Sequence, residues 1–244
     1  LDYLADELLR KDWSLKAIHR LIVTSEAYKQ SSVSADARSL ASSSAGKNQS
    51  LLTSAATAVS IDADNRLLWR QNARRLDAES IRDAVLSVTG KLNSEPGGPG
   101  YRDFEYQEAY APIYTYLTPD RPEHWKRSIY RFVVRTTPQQ FMTTLDCPDP
   151  TNLTPVRNRT TTPLQSLTML NNEFMLKQAG YFADRITADS GDDAEAQVIR
   201  AFQLAFSRVP AKAELDAGRR LLGQRGLFDL CRMLLNANEF AYVD

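Results

Sequence analysis

Thr160-Thr161-Thr162-Pro163-Leu164-Gln165 starts a helix on three separate local signals. The Thr162 hydroxyl suits an N-cap, and Pro163 suits the first helical position, where an N–H would have no partner anyway. Gln165 is placed to reach back and complete a capping box. Leu164, Leu167, Leu170 and Phe174 then recur at helical spacing. Similar punctuation recurs along the chain. The spacing therefore predicts a mainly α-helical fold, an irregular helical domain with a small β element and long loops.

Upstream of this start, Ser128-Ile129-Tyr130-Arg131-Phe132-Val133-Val134-Arg135 is rich in β-branched and aromatic residues, and Pro138 closes it. Its apolar run Phe132-Val133-Val134 suggests a strand covered on both faces, with a buried helical turn as the alternative. The loop Leu145 to Asn152 follows, where Pro148 and Pro150 fix φ and remove backbone donors. Arg157 and Arg159 then lead into the helix. A helix start presents unpaired N–H groups and a positive dipole end, so this region reads as a pocket for a carboxylate, sulfate or phosphate. The candidate ligand-binding residues are Arg127, Asp146, Asp149, Arg157, Arg159 and Thr162. The competing reading is structural: Arg157 and Arg159 pair with Asp146 and Asp149 and pin the loop. A third reading gives the loop oxygens from Asp146 to Asn152 a calcium ion, although the spacing of a calcium-binding hand is missing.

The chain has 244 residues, enough for one sizeable core or two small ones. Formal net charge is +0, so no general basic field exists for nucleic acid. No apolar run approaches the roughly 18 residues that suggest a membrane span. Cys147 and Cys231 stand far apart with no Cys-x-x-Cys pair, and His19 and His124 are the two histidines. Zinc and covalent haem attachment are therefore not expected within this chain. It opens inside a helical pattern without Met, and we expect an internal fragment whose lack of a leader says nothing about compartment.

In order, Leu1, Leu4, Leu8 and Leu9 mark a first helix and Ser14 caps a second, with His19 beside its apolar stripe. Residues 31–60 shift to Ser, Ala, Thr and Gly and read as a flexible insertion, with Leu51 to Val59 a short-helix candidate. Asp77 begins another helix, with Leu76 and Ile81 at staple spacing and Gly90 at its end. Glu79 and Asp83 on its polar side are a candidate general acid/base pair or members of an arginine network. The aromatic segment from Tyr101 to Trp125 reads either as a sugar-stacking surface or as packing over a long loop. A stripe of Val198, Phe202, Ala205 and Phe206, a helix introduced by Pro210 and a last helix from Leu227 to Phe240 close the chain. Leu15 to Val23 aligns without gaps with Leu227 to Leu235, and Asn172-Glu173-Phe174 recurs as Asn238-Glu239-Phe240. That suggests an internal duplication.

Trp13-Ser14-Leu15-Lys16-Ala17-Ile18-His19-Arg20-Leu21-Ile22-Val23-Thr24-Ser25 resembles a signature of the planctomycete secreted domain family. So do Asn65-Arg66-Leu67-Leu68-Trp69-Arg70, Arg74-Arg75-Leu76, Ile81-Arg82-Asp83-Ala84, Pro148-Asp149-Pro150, Thr161-Thr162-Pro163-Leu164-Gln165 and Asn238-Glu239-Phe240. The resemblance covers nearly the whole chain except the Ser/Ala-rich insertion. It implies a domain of unknown function lying C-terminal to cytochrome-c-like domains, an extracytoplasmic location, and haem, if any, in an upstream domain. It supplies no catalytic residues.

The expectation is one helical domain over residues 1–244 acting as a non-catalytic binding or assembly module. Its partners would be other domains of the same polypeptide and an anionic or sugar-like ligand. The rival is a polysaccharide-acting hydrolase using Asp146 with Asp149, or Glu79 with Asp83. That chemistry needs two carboxyls roughly 5 to 9.5 Å apart across a cleft.

Overall fold

The computed structural model describes residues 1–26, 28, 62, 64–67, 72–118 and 120–243. The insertion over residues 31–60, with its helix candidate Leu51 to Val59, lies outside the described residues, as does most of the Leu67 to Gln71 segment. The chain divides into two compact units, Leu1–Arg74 and Arg75–Val243.

In the first unit α1 (Asp2–Arg10) and α2 (Leu15–Val23) pack as a short helical hairpin. Its turn places Asp12 and Trp13 in the left-handed region, at φ 51° and 58°. That reversal lets the Trp13 N–H close back on the Leu8 carbonyl at 2.9 Å. Ser14 then starts α2 as expected, its hydroxyl accepting from the Ala17 N–H.

The second unit holds the apolar core. Its elements in order are α3 (Ala78–Val88), β2 (Phe104–Gln107), β3 (Ile113–Tyr116), α4 (Gln140–Thr144), α5 (Pro163–Asn171) and α6 (Glu173–Ser190). After these come α7 (Ala194–Phe206), α8 (Lys212–Arg225), α9 (Leu227–Leu235), α10 (Asn238–Ala241) and β4 (Tyr242–Val243). The 18-residue α6 is the axis of the unit and buries Phe174, Met175, Gln178, Ala179, Phe182 and Ile186. Against it pack Leu230, Cys231, Leu234 and Leu235 of α9 and Ile81, Val85 and Leu86 of α3. Phe182 is fully buried, and truncating such a ring costs about 3–5 kcal/mol.

Polar ties fix the α3–α6 contact as well. The buried Thr89 hydroxyl donates to Gln178 Oε1 at 2.8 Å. Arg185 donates to the Val88 carbonyl at 2.6 Å, satisfying an acceptor that the end of α3 leaves open. Gly90, at φ 73°, turns the chain out of α3. A two-residue strand, β1 (Arg74–Arg75), pairs with β4, and the Leu76 N–H donates to the Ala241 carbonyl at 2.8 Å. The start and end of the second unit therefore lie side by side.

Three expectations are corrected. Ser128 to Arg135 is not a strand: Ser128–Tyr130 is a 3-10 turn, and Arg131 makes one isolated bridge to Tyr101. The Ser128 N–H and hydroxyl both donate to Asp83 Oδ1 at 2.7 Å, which winds the chain onto α3 instead of into a ladder. Nor is the run covered on both faces, since Ile129, Phe132 and Val133 are exposed. The β element is instead the antiparallel hairpin β2–β3 inside the aromatic segment, with Phe104 opposite Tyr116 and Tyr106 opposite Tyr114. Finally, the last helix breaks after Leu235, where Ala237 is extended and α10 begins separately.

α2 and α9 are helices with the bounds their sequence alignment gave, but they belong to different units.

Candidate functional site

The helix start works as its sequence promised. Thr162 caps α5, its hydroxyl accepting from the Gln165 N–H at 3.3 Å, while Gln165 Oε1 accepts from the Thr162 N–H at 3.2 Å. The Thr162 side chain is thereby spent on its own helix.

Asp146 is the hub beneath this start. Held at φ 64°, it accepts from Arg75 at 2.5 Å, the Thr160 N–H at 2.7 Å, the Thr160 hydroxyl at 2.9 Å and the Gln165 amide at 3.1 Å. Burial pushes its pKa up, but the donors from Thr160, Arg75 and Gln165 outweigh that and hold it below the usual carboxylate range. Asp149 is different: exposed, it folds on its own turn, accepting from the Thr151 N–H, the Thr151 hydroxyl and Asn152. The Thr151 backbone bond leads in lowering its pKa. The oxygens of the Asp146–Asn152 loop thus belong to two separate hydrogen-bond sets.

The arginines are paired, though not with the expected partners. Arg157 makes a two-pronged contact with Glu79 at 2.6 and 2.9 Å and lies 3.7 Å from Asp77. Arg159 lies 3.9 Å from Asp77. Burial pushes Glu79 up, but the Arg157 fork prevails and its pKa is lowered. Arg127 reaches Asp83 at 3.4 Å. Arg157 and Arg159 pin the loop to the start of α3, while Thr160 ties it to Asp146. Arg82 is buried and donates to the carbonyls of His124 and Lys126, holding the irregular stretch after the hairpin. Arg127, Asp146, Arg157 and Arg159 act as a structural strap, Asp149 and Thr162 bond within their own turns, and none of the six lines either of the two clefts that follow. Glu79, Asp83 and Asp146 serve this strap, whereas Asp149 bonds only to Thr151 and Asn152 in its own turn.

An open cleft lies elsewhere in the second unit. A cleft of about 350 Å³ is lined by Arg82, Asp103, Tyr116, Arg131, Gln140 and Asn172, among others. At its base Arg131 Nε donates to Asp103 Oδ2 at 2.7 Å, with both side chains more than nine-tenths buried. The pairing is incomplete. Arg131 Nη2 and Asp103 Oδ1 have no hydrogen-bond partner in the protein, nor does the neighbouring Tyr101 hydroxyl. Buried polar groups are nearly always satisfied, so three together demand a reason. Burial pushes Tyr101 up to about 12, while Arg82 and Arg131 pull the other way. For Arg131, burial disfavours the charge, but the Asp103 bond overcomes it and the pKa is raised. The guanidinium stays charged in any accessible medium.

A second depression of about 320 Å³ adjoins the first and shares Gln140, Phe141 and Asn172 with it, extending to Leu164 and Leu167. None of the four carboxylates named for hydrolysis lines either cleft, and Asp103 is the single carboxylate lining the first. Among the described residues, no group of three or more His, Cys, Asp or Glu is placed to hold a metal ion. The aromatic segment divides: Tyr101 and Phe104 are buried, whereas Tyr106 and Tyr110 are exposed.

Comparison with known proteins was informative at the family level. The model of the family described as PSD1, protein of unknown function (DUF1553), matches residues 1–222. The chain belongs to this family. No curated protein and no solved structure matches it. Membership in PSD1 carries no assigned chemistry, so the site must speak for itself.

Sequence reading missed the cleft because its members come from distant segments. One signal was present. Phe104 with Tyr106, and Tyr114 with Tyr116, alternate at period two, which marks a hairpin and puts Asp103 at its entry. The lone Arg131 inside an apolar run was a second hint that a buried partner exists.

Proposed function

We propose that this PSD1 chain is a non-catalytic binding or assembly module of a larger secreted planctomycete protein, and that its ligand is an anionic or sugar-like group. The observation that carries the reading is the incompletely paired Asp103–Arg131 couple at the base of the cleft. A ligand bearing both hydroxyls and an acceptor group would satisfy the Arg131 donor and the Asp103 oxygen together. Sites built to hydrogen-bond a ligand discriminate strongly against analogues that lack the group. The resemblance stated above adds the context: an extracytoplasmic location, neighbouring cytochrome-c-like domains of the same polypeptide, and haem, if any, in an upstream domain. No helix among the described residues is long and apolar enough to cross a membrane. The hydrolase alternative has less support, because none of Glu79, Asp83, Asp146 and Asp149 lines either cleft.

Thermal unfolding in the presence of calcium, sulfate, and neutral or acidic oligosaccharides tests this reading. A ligand that binds the folded state alone raises the midpoint with its concentration. A rise that disappears in Gln140→Ala, an exposed residue of the cleft wall, supports it; no rise with any of them refutes it.

A further inference from the structure

The two clefts are not independent. They share Gln140, Phe141 and Asn172, and so form one groove running from the buried Asp103–Arg131 pair to the exposed Leu164 and Leu167 on the first turns of α5. Each part is near the lower limit of about 300 Å³ for small-molecule sites, so each holds one ring-sized unit and the groove as a whole holds a short oligomer.

Charge decides what kind of unit enters the inner end. Arg82 and Arg131 line it with Asp103 as the single lining carboxylate; Arg131 is paired with Asp103, and Arg82 lies 3.6 Å from Asp83. Asp83, behind Arg82, is taken up by Ser128 and Arg127. A buried guanidinium with an unpartnered N–H favours a carboxylate or sulfate, because a charged acceptor restores the missing bond more strongly than a neutral one. The remaining wall is planar amide and ring surface: Gln140 and Asn172 beside Tyr116 and Phe141. Amides arranged against rings suit a ligand whose hydroxyl-rich edges alternate with flatter apolar faces.

Resting on the binding reading above, we infer that the groove holds an acidic oligosaccharide, with a uronate carboxylate or sugar sulfate on Arg131 at the inner end. The next sugar then crosses Gln140 and Asn172 toward Leu164. Polarity thus runs in one direction, with the acidic unit innermost.

Calorimetric titration of the full chain with three sets of probes tests this. The probes are oligogalacturonates of increasing length, sulfated and neutral oligosaccharides of matched length, and a short peptide with a free C-terminal carboxylate. Acidic oligosaccharides should bind, with the longer ones tighter than the monomer. The neutral set should be weaker by about tenfold or more, the worth of one charge-assisted bond. Whichever of carboxylate and sulfate binds tighter identifies the inner group. Leu164→Ala, at an exposed outer position, should weaken the longer oligomer and leave the monomer unchanged. The double variant Asp103→Asn/Arg131→Gln removes both buried charges together, and it should lose the preference for acidic over neutral sugars. Its folding is checked by its unfolding midpoint. Equal binding of neutral sugars would overturn the charge assignment while leaving the binding reading intact. Binding of the peptide in place of the sugars would overturn the oligosaccharide assignment alone. Failure of every probe would overturn both readings.

Discussion

Asp146→Ala removes the acceptor on which four donors converge. The partner left behind is the decisive factor. Arg75 is 8% exposed and Asp146 15%, so the guanidinium would remain as a nearly buried, uncompensated charge. Breaking such a pair from one side costs about 3–5 kcal/mol, and the residual water access of Asp146 points to the lower end. The backbone adds to this, because alanine at φ 64° costs about 1 kcal/mol that aspartate tolerates better. A loss of about 4 kcal/mol in a unit of this size lowers the unfolding midpoint by roughly 10 °C. Asp149→Ala serves as the control three positions away in sequence: its contacts stay within an exposed turn, so its midpoint should stay close to that of the unaltered protein. Asp146→Asn, which keeps an acceptor and suits the left-handed backbone, should fall between them. Thermal unfolding followed by circular dichroism measures all three. If Asp146→Ala unfolds no lower than Asp149→Ala, the hub account of the strap is wrong.

Other outcomes follow from the same geometry. Asp146, Glu79 and Glu214 all have folded pKa values below their ordinary ones. Their contribution is therefore complete above the unfolded value of about 4 and is lost as pH falls through the folded values, so stability should drop on acidification below about pH 4. Asp146→Ala should make that acid limb shallower in urea titrations at stepped pH. Gly218→Ala would bring a methyl within 2.7 Å of Val198 Cγ1, and overpacking of this kind costs about 1–3 kcal/mol. Gly223→Ala, in the same helix with nothing within 4 Å, should instead gain about 0.4–1 kcal/mol. Cys147, pushed up to about 11 by burial and by Glu79, and Cys231, raised further by burial alone, should resist thiol reagents near neutral pH. Labelling kinetics with and without denaturant would check this; rapid labelling of the folded protein would refute it.

The contrast between the two ends of the second unit shows where sequence speaks clearly. Thr162, Pro163 and Gln165 act within one turn, so their spacing alone carries the capping box. Gly90 closes α3 for the same reason. Ser128 to Arg135 misled because its composition favours a strand, whereas Asp83, 45 positions away, supplies the bonds that wind it into a turn. Arg131 and Asp103 are 28 positions apart, and the pairing of Arg157 with Glu79 spans 78. Nothing in a local pattern selects Glu79 over Asp146 or Asp149 as the partner of Arg157. Local helix chemistry was therefore readable, and the identity of long-range charge partners was not. The cleft depends on the second kind of information.

The Leu76–Ala241 bond and the short strand pair beside it bring the entry and exit of the second unit together. A body closed in this way behaves as a cassette. Its entering and leaving segments start from two adjacent points, so neither has to cross the core of α3, α6 and α9.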